Sequence, residues 1–354
     1  MWPGETASRV YALTAFLMLF KRGLSGENDT QPIQLLMDVD TGVDDAMAIT
    51  FAGTSPNVCL RAITVVAGNT NLSNAYNNTL RVLNRINRTD VPVYKGADRP
   101  IDGFWDYEAV YFGEDNFGNA GRLYEMGNNS AGDIHQYGYV KMIELIKNRT
   151  GEMTLMMLGP LTNLAIALLV EPNITQQVKA IYILGGNIRG QGNILPGSEF
   201  NFLTDPEAAL VVLQRAECPV YIVPWETVLD SVVPWVIFHN ITNKTGELQK
   251  FLIDISNHTV QCCHDGRTGY SLGDWMAMLA AIVPSSVIDS VEHRVSVELT
   301  GTQTRGQLVH AWMPYMLTEV KRNVTIIKKF NQSIVDEYFT KTFDPPVNDS
   351  QAIN

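Results

Sequence analysis

The sequence predicts an α/β domain in which a mostly parallel, Rossmann-like central sheet is flanked by helices. Three observations carry that expectation. Strand-like apolar runs alternate with helix-like runs, the order of successive βαβ units. No stretch rich in Pro, Gly or Ser divides the chain and no internal repeat is visible, so one domain is expected over 31–340, after a leader at 1–30 and before a tail at 341–354. The strand-like runs also end in polar or glycine-rich segments, the place where open parallel sheets bind ligands.

The strands read in order as 33–38, 60–66, 154–158, 180–185 and 219–223, with helices at 44–53, 74–87, 137–149, 163–169 and 206–216. The last helix has a clear start in Thr204-Asp205-Pro206-Glu207, a capping residue followed by Pro and an acid in the first turn. Four strand endings stand out: the acidic run from Asp38, Ala67-Gly68-Asn69-Thr70, Leu158-Gly159-Pro160-Leu161-Thr162-Asn163, and Leu184-Gly185-Gly186-Asn187. In a parallel sheet these share one rim.

The first ending is the densest in chemistry. Asp38, Asp40, Asp44 and Asp45 fall within eight residues at the exit of an apolar strand. Asp38 and Asp40 point the same way along a strand, and Asp44 and Asp45 open the following helix, whose free N–H groups favour negative charge. So many carboxylates in one place repel one another, and a hard cation held by their oxygens relieves that repulsion. A solvated acidic loop is the plainer alternative, but such loops rarely follow a buried strand with this spacing.

Bulk properties narrow the partner. The chain of 354 residues is 45% hydrophobic, ample for a core, and its net charge of −11 lacks the basic face that a nucleic-acid backbone requires. A small-molecule substrate fits better. Val10–Phe20 is an apolar run too short to span a bilayer and suited to a signal-peptide core, with Arg9 before it. Glu5 and Lys21-Arg22 flank it, and no small-x-small cleavage site follows. Thirteen Asn-x-Ser/Thr sequons run from Asn28 to Asn348, where chance gives roughly three or four. The expectation is a glycoprotein, secreted or resident in the secretory lumen without stable membrane insertion, with the cytoplasm as the alternative. Cys59, Cys218, Cys262 and Cys263 are too few for a disulfide framework and lack the spacing of a zinc site.

From about Ile33 to about Phe330 the chain resembles the inosine–uridine-type nucleoside hydrolases. The resemblance rests on Asp38-Val-Asp40-Thr-Gly-Val-Asp44-Asp45, Thr64-Val-Val-Ala-Gly-Asn69, Leu158-Gly-Pro-Leu-Thr-Asn163, Gly192-Asn193, Glu199-Phe200-Asn201, Asp205-Pro-Glu-Ala, Gly273-Asp274 and Thr304-Arg305-Gly306, in that order. It implies a homo-oligomeric (dimeric or tetrameric), Ca²⁺-dependent enzyme that splits ribonucleosides into ribose and free base. It further implies that Asp40, Asp45, the Leu158 carbonyl and Asp274 hold the calcium, and that Asp40 is the general base for the attacking water. Asp44, Asn69, Asn193, Glu199, Asn201 and Asp274 would grip the ribose, with Asp38 behind them orienting its neighbours. The residue types suit a reaction that builds positive charge on the sugar.

Two departures bear on the leaving base. Many relatives carry histidines where this chain has Gly273 and Phe112. Aromatic residues are plentiful instead: Trp105, Tyr107, Tyr111, Phe112, Tyr270 and Trp275. Stacking by such rings suits a purine, with Phe112, Tyr270 and Trp275 as candidates, while core packing is the alternative for each ring. His264, beside Asp265, is a candidate displaced acid or else a surface residue. Two other readings are open: a non-catalytic ribose-binding homologue, and a phosphohydrolase with Asp38 as nucleophile and Mg²⁺ as metal. The second leaves Asp44-Asp45 and Glu199-Phe200-Asn201 unexplained.

Overall fold

β1 (Ile33–Val39) is buried from Leu35 to its end, side chains on both faces included, as a strand covered by helices on both sides must be. It pairs in parallel with β2 (Val58–Val65) on one side and β4 (Met153–Met157) on the other, and α1 (Val43–Thr54) connects β1 to β2. The computed structural model describes residues 31–103, 111–129, 132, 136–262 and 268–345. The leader at 1–30, Trp105, Tyr107, His264 and most of the tail lie outside the described residues. From Ile33 onward the chain forms one compact unit.

In chain order, α2 (Leu72–Arg85) and β3 (Val93–Lys95) follow β2, and α3 (Gly138–Asn148) precedes β4. Next come α4 (Thr162–Val170), β5 (Ala180–Leu184), α5 (Phe200–Thr204), α6 (Pro206–Arg215) and β6 (Val220–Val223). The last third holds α7 (Trp225–Leu229), β7 (Val233–Pro234), α8 (Trp235–Thr242), α9 (Glu247–Cys262), β8 (Gly269–Tyr270) and α10 (Gly273–Ile282). It closes with β9 (Val287–His293), β10 (Val295–Val297), β11 (Leu308–His310), β12 (Val324–Phe330) and α11 (Gln332–Phe343).

The main sheet runs β3-β2-β1-β4-β5-β6-β12-β9. All its neighbours pair in parallel except β9, which lies antiparallel to β12 at the edge. Strands step outward from β1 through β2 to β3 in one direction and from β4 through β5 to β6 in the other. The order therefore reverses between β1 and β4, and a crevice opens beyond their carboxyl ends. The five sequence-predicted strands are all present, within two residues at their starts. Three strands of the main sheet, β3, β9 and β12, were missed: β3 is three residues long, β9 is a largely exposed edge strand without an apolar run, and the short apolar stretch of β12 is broken by two exposed lysines.

Two apolar layers sandwich the sheet. One collects α1, α2 and α8 to α11, and the other α3, α4 and α6. α10 (GDWMAMLAAI) is buried from Gly273 to Ala281, with apolar residues all round, and rests on α1. Asp205 caps α6 as its sequence predicts, accepting the Ala208 N–H at 3.0 Å with Pro206 in the first turn. Among the described residues no helix is long and apolar enough to cross a membrane.

Candidate active site

The end of β1 and the start of α1 bring the acidic run to the switch point. Asp38, Asp40, Asp45 and Asp274 are buried, Asp44 half-buried. Carboxylate oxygens of Asp44, Asp45 and Asp274 lie within 4.8 Å of one another, so the tightest triad contains Asp44. Asp40 sits beside it, close enough for its charge to act on Asp274. A cavity of about 220 Å³ opens here, lined by Asp44, Asn69, Leu158, Asn193, Glu199, Asn201 and Asp274 among others. Residues from four separate strand endings thus meet in one place.

Asp40 and Asp45 are each held by one oxygen and offer the other. Asp40 Oδ2 accepts the Asn69 N–H at 2.6 Å, and Asp45 Oδ2 accepts the Gly42 N–H at 2.9 Å at the start of α1. Asp40 Oδ1, Asp45 Oδ1 and Asp274 Oδ1 are buried without a protein hydrogen-bond partner. Gly68 is required here, because a Cβ at that position would stand 2.1 Å from Asp40 Oδ2. Asn201 donates its amide to the carbonyls of Leu158 (2.7 Å) and Leu184 (3.2 Å), which leaves Asn201 Oδ1 free in the same region.

Burial, and then mutual repulsion, set the electrostatics. Loss of water raises the Asp40 and Asp274 carboxyls well above the ordinary value, and the neighbouring aspartates raise them further. Asp45 is pushed up to about 7 by burial and by the charge of Asp44, and Asp44 is raised chiefly by burial. Unpartnered, oxygen-only donors that resist ionisation are what a hard divalent cation satisfies, so the residues present fit calcium. The Leu158 carbonyl, already accepting from Asn201, keeps a second lone pair for such an ion.

Glu199 caps α5. Its Oε1 accepts the Asn201 N–H (2.9 Å), and its Oε2 accepts the N–H groups of Gly186 (2.9 Å) and Phe202 (3.1 Å). The carboxyl therefore shapes the cavity wall as well as facing it; burial raises it to about 7 against those three hydrogen bonds. Asp38 lies behind the cavity. Its Oδ1 accepts from Thr64 Oγ1 (2.5 Å) and Asn163 Nδ2 (2.7 Å), and Asn163 Oδ1 in turn accepts the Ala97 N–H at 2.8 Å. This fastens the ends of β1, β2 and β3 to the start of α4.

The aromatic expectations divide. Phe112 lines the cavity and lies over Gly42, where a Cβ would meet its ring at 2.9 Å; Tyr111 packs edge-on against Phe112 at 4.9 Å. Trp275 does not reach the cavity. It is fully buried, stacked on Phe51 at 5.2 Å and set edge-on to Phe339, because α10 is buried all round and the residue after Asp274 turns into the core. Tyr270 is likewise buried, stacked on Phe238 at 4.7 Å, and stands outside the lining. Gly273 leaves no room for a larger side chain as the neighbours stand, since Leu184 Cδ2 lies 2.7 Å from where its Cβ would be.

Trp225, Phe200 and Ile194 line the cavity and were missed in the sequence. Trp225 had a usable signal: it follows Pro224 directly after the strand-like run 219–223, at the same rim as the other strand endings. Phe200 sits inside the quoted Glu199-Phe200-Asn201 motif, where only the polar neighbours drew notice.

This arrangement is the nucleoside hydrolase fold. A solved inosine-guanosine nucleoside hydrolase superposes with a TM-score of 0.80 at 29% identity, covering 88% of this chain and 98% of that one. A plant nucleoside hydrolase, the PpNRh1 enzyme, superposes with a TM-score of 0.82 at 26% identity, covering 89% and 100%. The inosine-uridine preferring nucleoside hydrolase profile matches residues 35–337, and the chain belongs to that family. A protein of Oryza sativa subsp. japonica named "Probable uridine nucleosidase 2" is 30% identical over 223 residues, 63% of this chain and 65% of that protein, just under two thirds of its length. The pyrimidine-specific ribonucleoside hydrolase RihB of Escherichia coli (strain SE11) is 32% identical over 228 residues, 64% of this chain and 71% of that one.

Proposed function

We propose that this protein hydrolyses the N-glycosidic bond of purine ribonucleosides, releasing ribose and free base. The observation that carries the reading is the set of buried, unpartnered oxygens on Asp40, Asp45, Asp274 and Asn201 beside a cavity walled by Asn69, Asn193 and Glu199. Asp40, Asp45, the Leu158 carbonyl and Asp274 would hold Ca²⁺. Calcium bound there would lower the pKa of the attacking water and let crowded carboxylates ionise.

The chain's own residues do the rest. Asp40, fixed through Oδ2 by the Asn69 N–H, keeps Oδ1 free to take the proton from water. Asp44, Asn193 and Asn201 hold the ribose hydroxyls, and the surrounding carboxylates stabilise the positive charge that grows on the sugar. Tyr111, Phe112, Phe200 and Trp225 are aromatic members of the cavity lining and offer the base stacking surface. The names of relatives point both ways, inosine and guanosine for one and pyrimidines for another; the aromatic lining residues and the lack of a histidine at 112 or 273 favour a purine, which presents the wider π-face.

Release of reducing sugar from inosine, guanosine, uridine and cytidine, with and without a calcium chelator, tests activity, base and metal together. Binding of ribose with no turnover of any nucleoside would make the protein a non-catalytic homologue. We further propose a secreted or lumenal glycoprotein that forms a dimer or tetramer. The leader and the exposure of sequon residues such as Asn87, Asn148, Asn173, Asn240, Asn257 and Asn323 support glycosylation. An endoglycosidase shift of the expressed protein, and its mass in light scattering, test these two points.

A further inference from the structure

We infer that Glu226 is a positioning residue: it holds the chain segment that carries Asn193 at the ribose side of the cavity. The inference rests on the nucleoside-hydrolase reading above. Glu226 is fully buried in the first turn of α7 and is not part of the cavity lining. Its Oε2 accepts the N–H of Ile188 at 2.8 Å, and its Oε1 accepts the N–H groups of Arg189 (2.6 Å) and Gln191 (3.1 Å). One carboxyl thus gathers three main-chain donors from a four-residue stretch.

In that stretch the half-buried Ile188 packs against the apolar layer that includes α3, α4 and α6. From Ile188 to Ile194 no residue is buried and none belongs to a helix or strand. Polar fastenings add to that packing: Glu226 takes the N–H groups of Ile188, Arg189 and Gln191, His310 Nε2 meets the Ile188 carbonyl at 3.1 Å, and the Gly192 N–H donates to the Pro196 carbonyl at 2.9 Å. Asn187, fully buried, secures the flanks: its amide donates to the Gly197 carbonyl at 2.6 Å and its Oδ1 accepts the Leu308 N–H at 3.0 Å. Asn193 itself has only its N–H tied, to the Ser198 carbonyl at 3.1 Å, and its side chain is left to the cavity.

The same turn of helix also reaches the cavity directly. Trp225, next to Glu226, lines the cavity and donates its N–H to the Gly186 carbonyl at 3.0 Å. An aromatic lining residue and the fastening of the ribose segment therefore come from adjacent residues of α7. A glutamine at 226 would keep the shape but replace one acceptor oxygen with an amide NH₂, which would face a main-chain N–H donor to donor.

The test compares Glu226→Gln with the wild type as full chains in calcium. KM for inosine should rise about tenfold and product inhibition by ribose should weaken by a similar factor, the scale of one or two lost hydrogen bonds, with kcat changed far less. In an Asn193→Ala background the same substitution should add little, because the two residues act through one contact. Unchanged KM with a lowered Tm, or additive losses in the double variant, would overturn the inference. If Glu226→Gln does not fold, Glu226→Asp, which keeps the charge and shortens the reach, carries the same test. A wild type that cleaves no nucleoside would remove the reading of the site instead. The clamp is then read by amide exchange at Ile188, Arg189 and Gln191, which Glu226→Gln should speed about tenfold; unchanged exchange overturns it.

Discussion

The side-chain amide of Asn201 donates to the main-chain carbonyl of Leu158 at 2.7 Å and so locks the end of β4 to the start of α5. The same amide reaches Leu184 at the end of β5, while its oxygen stays free. One side chain thus aligns two strand endings and keeps an acceptor for ligand. Asn201→Asp would set a carboxylate oxygen against both carbonyls. Ribose and nucleoside affinity should fall at least tenfold, the scale of an unmade buried hydrogen bond, and a titration with ribose checks it; unaltered affinity would show that the alignment is not needed.

Asp45→Ala should abolish both calcium binding and turnover while the chain remains folded. Calorimetric titration with calcium reads the first, sugar release the second. Full activity in calcium-stripped wild type would refute the metal assignment.

Asp40→Asn keeps shape and one oxygen but removes the proton acceptor. Turnover should drop by a factor on the order of 10² to 10⁴, the usual contribution of a general base, while nucleoside still binds. Undiminished turnover would move the base elsewhere, with Asp44 next to be tested.

Trp225→Ala and Trp275→Ala should fail in different ways. The first removes a cavity wall, so KM for inosine should rise about tenfold with little change in Tm. The second empties a core position and should cost about 3–5 kcal/mol of stability. Equal effects of the two on KM would contradict the division between cavity and core. A uridine turnover matching that of inosine would refute the purine preference and bring His264 back as an acid to be tested by His264→Ala.

The metal-free chain should lose stability as pH rises. Glu199 and Asp45 are raised to about 7 in the folded state, chiefly by burial, whereas unfolded carboxyls titrate near 4. The folded state therefore holds more protons between those values, so unfolding becomes easier from about pH 4 up through about pH 7, and Asp40 and Asp274, raised well above the ordinary value, act in the same direction. Calcium should reverse the trend, because it binds the ionised form. Thermal melts from pH 5 to 8, with calcium and with chelator, check both signs; a chelated protein that gains stability across that window would contradict them.

Local chemistry was enough to foresee much of this protein. Alternating strand and helix patterns follow from side-chain periodicity, and the Asp38–Asp45 run announces its chemistry because four neighbouring carboxylates cannot stay close without a remedy. The strand endings at Asn69, Leu158 and Leu184 could also be gathered onto one rim, since parallel strands share a direction. Which ring faces the ligand was beyond reach. Trp275 follows Asp274 yet turns into the core, Trp225 follows a strand ending and lines the cavity, and the difference lies in how α10 and α7 are rotated against their neighbours. The role of Glu226 was hidden for the same reason. Its three donors lie 35 to 38 residues away, and nothing in local spacing marks a carboxyl whose partners are main-chain amides of another loop. Residue type and spacing set the chemistry that was available; packing between distant segments decided which groups line the cavity.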